Sequence, residues 1–248
     1  MTLAFLTLLS GLALAQVPEA TPTEVVGERP YEMVWANRTV DDHAPLVDFE
    51  NLDGWTVECK NAVATLTRSR EQQVWGSYVG KLVYRGTGTN PEIRLVPPQP
   101  IATRGAFDTV TMWIYGNNWA YSTDPTTPQV QVSAVFADAR GREFTVDITR
   151  VNWREWFLGH HRMTPDQIDQ ARQGASLKAI AITGGRNTGD RVLYLDNLAA
   201  FVEAFPPLKF DPRPERGIPM FPGETVGTNT GPGKLPFPTR LQTILPPN

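Results

Sequence analysis

The run Val192-Leu193-Tyr194-Leu195-Asp196-Asn197-Leu198 constrains this chain most, because it is a short apolar strand with a carboxylate set into it. Far upstream, Leu46-Val47-Asp48-Phe49-Glu50 also carries acids inside an apolar run. A carboxylate in such a run is costly to bury unless donors or a cation meet it. Two such runs, one at each end of a strand-rich segment, are expected to lie side by side and share that need.

The intervening chain is punctuated by Gly, Pro, Asn and Asp, which divides it into short strands. Candidate strands are 46–50, 56–60, 62–68, 81–84, 92–96, 109–115, 129–136, 143–148, 156–160, 178–182 and 192–198. Alternation assigns faces: Val110, Met112 and Ile114 oppose Thr111, Trp113 and Tyr115, and Val130, Val132, Ala134 and Phe136 oppose Gln129, Gln131 and Ser133. Asp138 and Gly141 read as the turn residues of a hairpin. Thr164-Pro165-Asp166-Gln167 supplies a capping hydroxyl, a proline at the first helical position and Gln at the third. A short helix over 165–172, stopped by Gly174, is therefore an insertion in a β domain. Strands do not alternate regularly with helices, which argues against a parallel sheet. The fold class is all-β, an antiparallel jelly-roll β-sandwich with its first and last strands adjacent.

The flanks differ in character. Residues 1–15 hold an apolar run too short to span a bilayer, ending in Ala13-Leu14-Ala15, and read as a secretory signal peptide cleaved after Ala15. The alternative is an uncleaved N-terminal anchor. Residues 16–42 read as an arm or linker that Tyr31, Met33, Val34 and Trp35 could pin to a domain over 43–203. Residues 204–248 contain eleven of the 22 prolines and read as a tail or linker. The implied location is secreted, periplasmic or at the cell surface.

Several function classes are excluded or left without support. A net charge of −3 gives no footprint for nucleic-acid phosphates. The one cysteine, Cys59, cannot form an internal disulfide, and its place on the face of Trp55 and Val57 predicts a buried structural thiol. His160 and His161 are adjacent and would point to opposite faces, which makes them poor joint metal ligands. No acidic pair or Ser–His–Asp pattern is grouped for catalysis, although such sites form in space rather than in sequence.

Leu46–Glu50 with Gly54-Trp55, then Gly80-Lys81-Leu82-Val83-Tyr84, then 107–116, and finally Tyr194-Leu195-Asp196-Asn197-Leu198 follow one another in an order that resembles a galactose-binding-like jelly roll. Such domains occur as carbohydrate-binding modules beside glycoside hydrolases. The resemblance spans about 46–203 and is specific to fold rather than ligand. It implies a structural calcium ion where first and last strands meet, with Asp48, Glu50 and Asp196 in the matching places. The alternative is that these acids face solvent or meet Lys81 or an arginine.

Sugar recognition asks for flat aromatic faces and nearby polar groups. Two regions offer them: the face of Trp113 and Tyr115, with Gln129 and Gln131 as polar neighbours, and the loop that carries Trp119 and Tyr121. Packing of Trp113 and Tyr115 under the arm, the tail or the helical insertion is the competing reading. The expected function is a non-catalytic carbohydrate-binding or surface-interaction module, with a polysaccharide, a glycan or another envelope protein as partner. A structural domain of a cell-envelope protein and a polysaccharide hydrolase or lyase are the alternatives.

Overall fold

The computed structural model describes residues 25–119 and 126–204. The chain divides into two units, Met1–Ala204 and Phe205–Asn248, and the described residues all belong to the first. The signal segment 1–15, the start of the arm, Tyr121 and nearly all of the Pro-rich stretch 204–248 lie outside them.

Eleven strands among the described residues form two antiparallel sheets. The first contains β1 (Thr56–Lys60), β4 (Glu92–Val96), β10 (Ala175–Thr183), β7 (Gln131–Asp138) and β8 (Glu143–Arg150) in that order, with β5 (Ile101–Ala102) also on β10. The second runs β2 (Ala62–Ser69), β3 (Val79–Gly86), β11 (Arg191–Phe201), β6 (Thr109–Tyr115) and β9 (Trp156–Arg162). The chain crosses repeatedly between the sheets, as a jelly-roll sandwich requires.

The core follows from alternation. Val110, Met112 and Ile114 of β6 face inward with Val132, Ala134 and Phe136 of β7, Val146 and Ile148 of β8, and Leu193 and Leu195 of β11, all buried. Phe136 is fully buried between Phe107, at a centroid distance of 5.1 Å, and Phe144, at 5.6 Å. Each large side chain so placed stabilises the fold by about 1.5–3 kcal/mol before entropy is counted.

Local signals behave as their chemistry demands. In the β7–β8 turn, Asp138 Oδ1 accepts from the N–H of Arg140 at 2.8 Å and of Arg142 at 2.9 Å. The helix α2 (Pro165–Ala171) is closed by a reciprocal capping box: Gln167 N–H donates to Thr164 Oγ1, and Thr164 N–H to Gln167 Oε1. Gly174 follows at φ +104°, a conformation that favours glycine.

Two expectations need correction. Leu46–Glu50 is not a strand but a single antiparallel bridge, Val47 to Leu198. Asp48 Oδ1 accepts the Glu50 N–H at 3.1 Å, and this local turn carries Phe49 to φ 57°. Phe49 is nonetheless fully buried, against Gly80, where an added Cβ would lie 2.5 Å from its ring. Cys59 is exposed rather than buried, because β1 is an edge strand and the cysteine lies next to its end.

Candidate ligand-binding face

Strand register arranges the outer face of the second sheet into rows. Asp196 of β11 pairs with Trp113 of β6, which pairs with Leu158 of β9. In the next row Tyr194, Tyr115 and Trp156 stand side by side, with Lys81 of β3 opposite Tyr194. Three aromatic side chains thus come from three strands that are distant in sequence.

The arm covers the first row. Met33, in the short helix α1 (Tyr31–Trp35), is buried with Val74, Trp75 and Trp113. Arg29 Nε donates to Val74 O at 2.9 Å, and the guanidinium groups of Arg29 and Arg38 each lie 5.4 Å from the centroid of the Trp75 ring. Asp41 Oδ2 accepts from Trp113 Nε1 at 3.1 Å and from Asn197 Nδ2 at 3.3 Å. Trp113, expected as a possible stacking ring, is only 8% exposed and belongs to packing.

The second row is half-buried rather than covered. Tyr115 meets Trp156 and Tyr194 at centroid distances of 5.8 Å, with interplanar angles of 77° and 86°. Successive rings therefore turn nearly edge-on, a favourable arrangement of their quadrupoles. A charged group closes one end: Tyr194 Oη donates to Glu71 Oε2 at 2.6 Å, and Lys81 Nζ lies 2.5 Å from the same oxygen. Partial burial works to raise the Glu71 carboxyl, yet the bonds from Lys81 and Tyr194 hold it below its ordinary value. The result is a row of alternating aromatic faces and edges with the Glu71–Lys81 pair at one end.

Gln129 and Gln131 do not join this row. Gln131 is on β7, so it stands on the outer face of the opposite sheet, and Gln129 lies just before it. Gln131 Nε2 donates to the carbonyls of Val132 at 3.2 Å and Thr149 at 3.0 Å. On that face Arg94 of β4 reaches Glu143 of β8 at 3.3 Å, over the buried Val135, Ala179 and Ala181. Trp119 is half-buried four residues beyond Tyr115. Sequence reasoning did not place Trp156 and Tyr194 beside Tyr115. Both alternate outward on their strands, but only the register reveals that they flank Tyr115.

The Val47–Leu198 bridge brings the acidic runs together. A bulge in β11 separates Asp196 from Ala199, with Asn197 at φ 35°. Asp196 is 1% exposed, and its two carboxyl oxygens accept the N–H groups of Trp75 at 3.1 Å and Asn197 at 2.8 Å. Burial, with the charges of Glu50 and Asp48 adding to it, pushes this carboxyl up to about 8. Glu50 Oε1 accepts from Ser77 and Tyr78 N–H, and Glu50 and Asp48 line a cavity of about 490 Å³ with Asp41, Trp75 and Asn197. Among the described residues no three His, Cys, Asp or Glu side chains converge as a ready metal cage.

No protein-family model matches the sequence, and no curated protein matches it. Among solved structures, the chain is similar to a carbohydrate-binding module of the β-sandwich superfamily at 17% identity, over 66% of this chain and 63% of that one, with a TM-score of 0.47. It is similar to the family 11 carbohydrate-binding module of the cellulosomal cellulase Lic26A-Cel5E of Clostridium thermocellum at 11% identity, over 67% of this chain and 99% of that one, with a TM-score of 0.41. It is also similar to TmCBM61, solved with β-1,4-galactotriose, at 16% identity, over 66% of this chain and all of that one, with a TM-score of 0.38.

Proposed function

We propose that this protein is a non-catalytic glycan-binding module that acts outside the cytoplasm and holds sugar rings on the Tyr194–Tyr115–Trp156 row. The observation that carries the reading is the row itself: three half-buried rings brought into register on one sheet face, with Lys81 and Glu71 beside them. Pyranose rings have an apolar C–H side that stacks on aromatic faces and hydroxyls that need both donors and acceptors. Lys81 offers donors and Glu71 acceptors at one end of the row. The N-terminal apolar run with its small-residue site supports export. No helix among the described residues is long and apolar enough to cross a membrane.

A calcium ion held by Asp196, Asp48 and Glu50 is part of the proposal. The support is electrostatic: a buried carboxyl near two others, pushed up to about 8, is what a bound cation would relieve. Calcium takes six to eight oxygens, so carbonyls and solvent would complete the set. The ion would lock the Asp48–Glu50 turn to the last strand and would take no part in chemistry.

Isothermal titration of soluble β-glucans, galactans and xylans tests the glycan reading. Trp156→Ala and Tyr115→Ala should each weaken a bound glycan about tenfold, one ring's stacking being worth roughly 1–3 kcal/mol by analogy with stacked bases. Wild-type binding that survives unchanged in both variants, with both still folded, rejects the row as the site.

A further inference from the structure

The exposed face of α1 does not take part in any packing described above. Tyr31 is 74% exposed, Val34 61% and Trp35 77%, while Met33 on the other side is buried in the Trp75–Trp113 cluster. Tyr31 and Trp35 are four residues apart in one helix, so they share a face, one turn from each other, about 6 Å along the axis. Large exposed aromatic side chains grouped on one face mark interaction surfaces.

The helix is also fixed in place. On its N-terminal side Arg29 Nη2 donates to Arg38 O at 3.1 Å, and its Nε to Val74 O. On its C-terminal side Arg38 N–H donates to Met33 O at 2.9 Å, and the Arg38 side chain pairs with Asp42 at 2.8 Å. The backbone that carries the two rings therefore needs no ordering before they bind, and the entropy cost of fixing a mobile loop is absent.

We propose that Tyr31 and Trp35 form a second glycan-binding platform, which takes two successive pyranose rings of one polysaccharide chain. This rests on the reading that the ligand is a glycan, but not on the Tyr194–Tyr115–Trp156 row. Three features of the site select a sugar chain over a protein. First, two rings at roughly 150–250 Å² each, with Val34, fall short of the roughly 800 Å² per side of a stable protein interface. Second, a spacing of about one helical turn, close to 6 Å, suits neighbouring sugar units on one strand of polymer. Third, the exposed Glu32 lies between the two rings in sequence, and its carboxylate can accept hydrogen bonds from sugar hydroxyls. Two platforms on one module raise retention on a long polymer through effective concentration, without new contacts on short sugars.

The test uses the whole mature chain with microcrystalline cellulose, insoluble xylan and insoluble β-mannan as probes. Tryptophan oxidation by N-bromosuccinimide, read residue by residue by peptide mass spectrometry, is run with and without each polysaccharide. At least one polysaccharide should protect Trp35. The Tyr31→Ala/Trp35→Ala double variant should lose about tenfold or more in retention on that polymer while keeping its affinity for short soluble oligosaccharides. The variant removes exposed side chains only, so it should melt as the wild type does. Protection of Trp156 without Trp35 overturns this platform and leaves the row standing. Protection of Trp35 without Trp156 upholds the platform and rejects the row. If no probe protects Trp35, or if vesicles of anionic phospholipid protect it when the polysaccharides do not, the proposal fails.

Discussion

Replacing Asp196 by Asn tests the buried acid with an almost unchanged shape. The folded state holds this carboxyl near 8 against an ordinary 3.8, so it grips a proton more tightly than the unfolded chain does. A group raised in this way contributes its full stability below about 3.8, and that contribution is lost as pH rises towards about 8. Each pH unit in that window costs about 1.4 kcal/mol, which sets a ceiling of about 6 kcal/mol by the upper end. The variant has no proton to lose, so it lacks this slope. It does lose one of the two oxygens that accept from Trp75 and Asn197, a pH-independent cost of roughly 1–3 kcal/mol. Urea unfolding of both proteins in chelator, at intervals between pH 5 and pH 9, reads the contribution of this carboxyl, because the two chains differ at that one group alone. Wild type should lose several kcal/mol relative to the variant across the window. Parallel stability curves would show that Asp196 is ionised at little cost, and the electrostatic case for a bound cation would go with it.

Other outcomes follow from the same contacts. At pH 8, millimolar calcium should raise the melting temperature of wild type by several degrees and leave Asp196→Asn unmoved, since a ligand that binds only the folded state stabilises it by mass action; equal responses would refute the site. Gly80→Ala should cost about 1–3 kcal/mol in urea unfolding, because a new Cβ would press on the buried Phe49 ring. Thr164→Ala should cost about 1 kcal/mol by removing the capping box of α2. Met33→Ala should speed amide exchange over residues 27–42 selectively, because Met33 is the arm's buried anchor on the Trp75–Trp113 cluster.

What the sequence made legible was local. The strands Thr56–Lys60, Glu92–Val96 and Thr109–Tyr115 are delimited by alternation and turn residues within a few positions of each other. The capping box of α2 and the Asp138 turn are likewise short-range chemistry. What escaped depends on which strands become neighbours. Cys59 shares an apolar pattern with Trp55, but alternation does not say that β1 is an edge. Gln131 follows Tyr115 by one strand in the chain, yet the connection between them changes sheets. Trp113 and Tyr115 point the same way from one strand, and only the docked arm separates a covered ring from a half-buried one. Leu46–Glu50 reads as a strand until the Asp48 side chain turns back on the Glu50 N–H.

The glycan-binding claim is tested most directly by heteronuclear NMR of the whole chain during titration with a bound oligosaccharide. Side-chain signals of Tyr115, Trp156 and Tyr194, including the Trp156 indole N–H, should shift in a saturable way, together with Lys81, while Ala179, Ala181 and Arg94 on the opposite sheet stay still. Shifts confined to Arg94, Ser133, Ala179 and Ala181, with the aromatic row silent, would contradict the account and move the site to the other face of the sandwich.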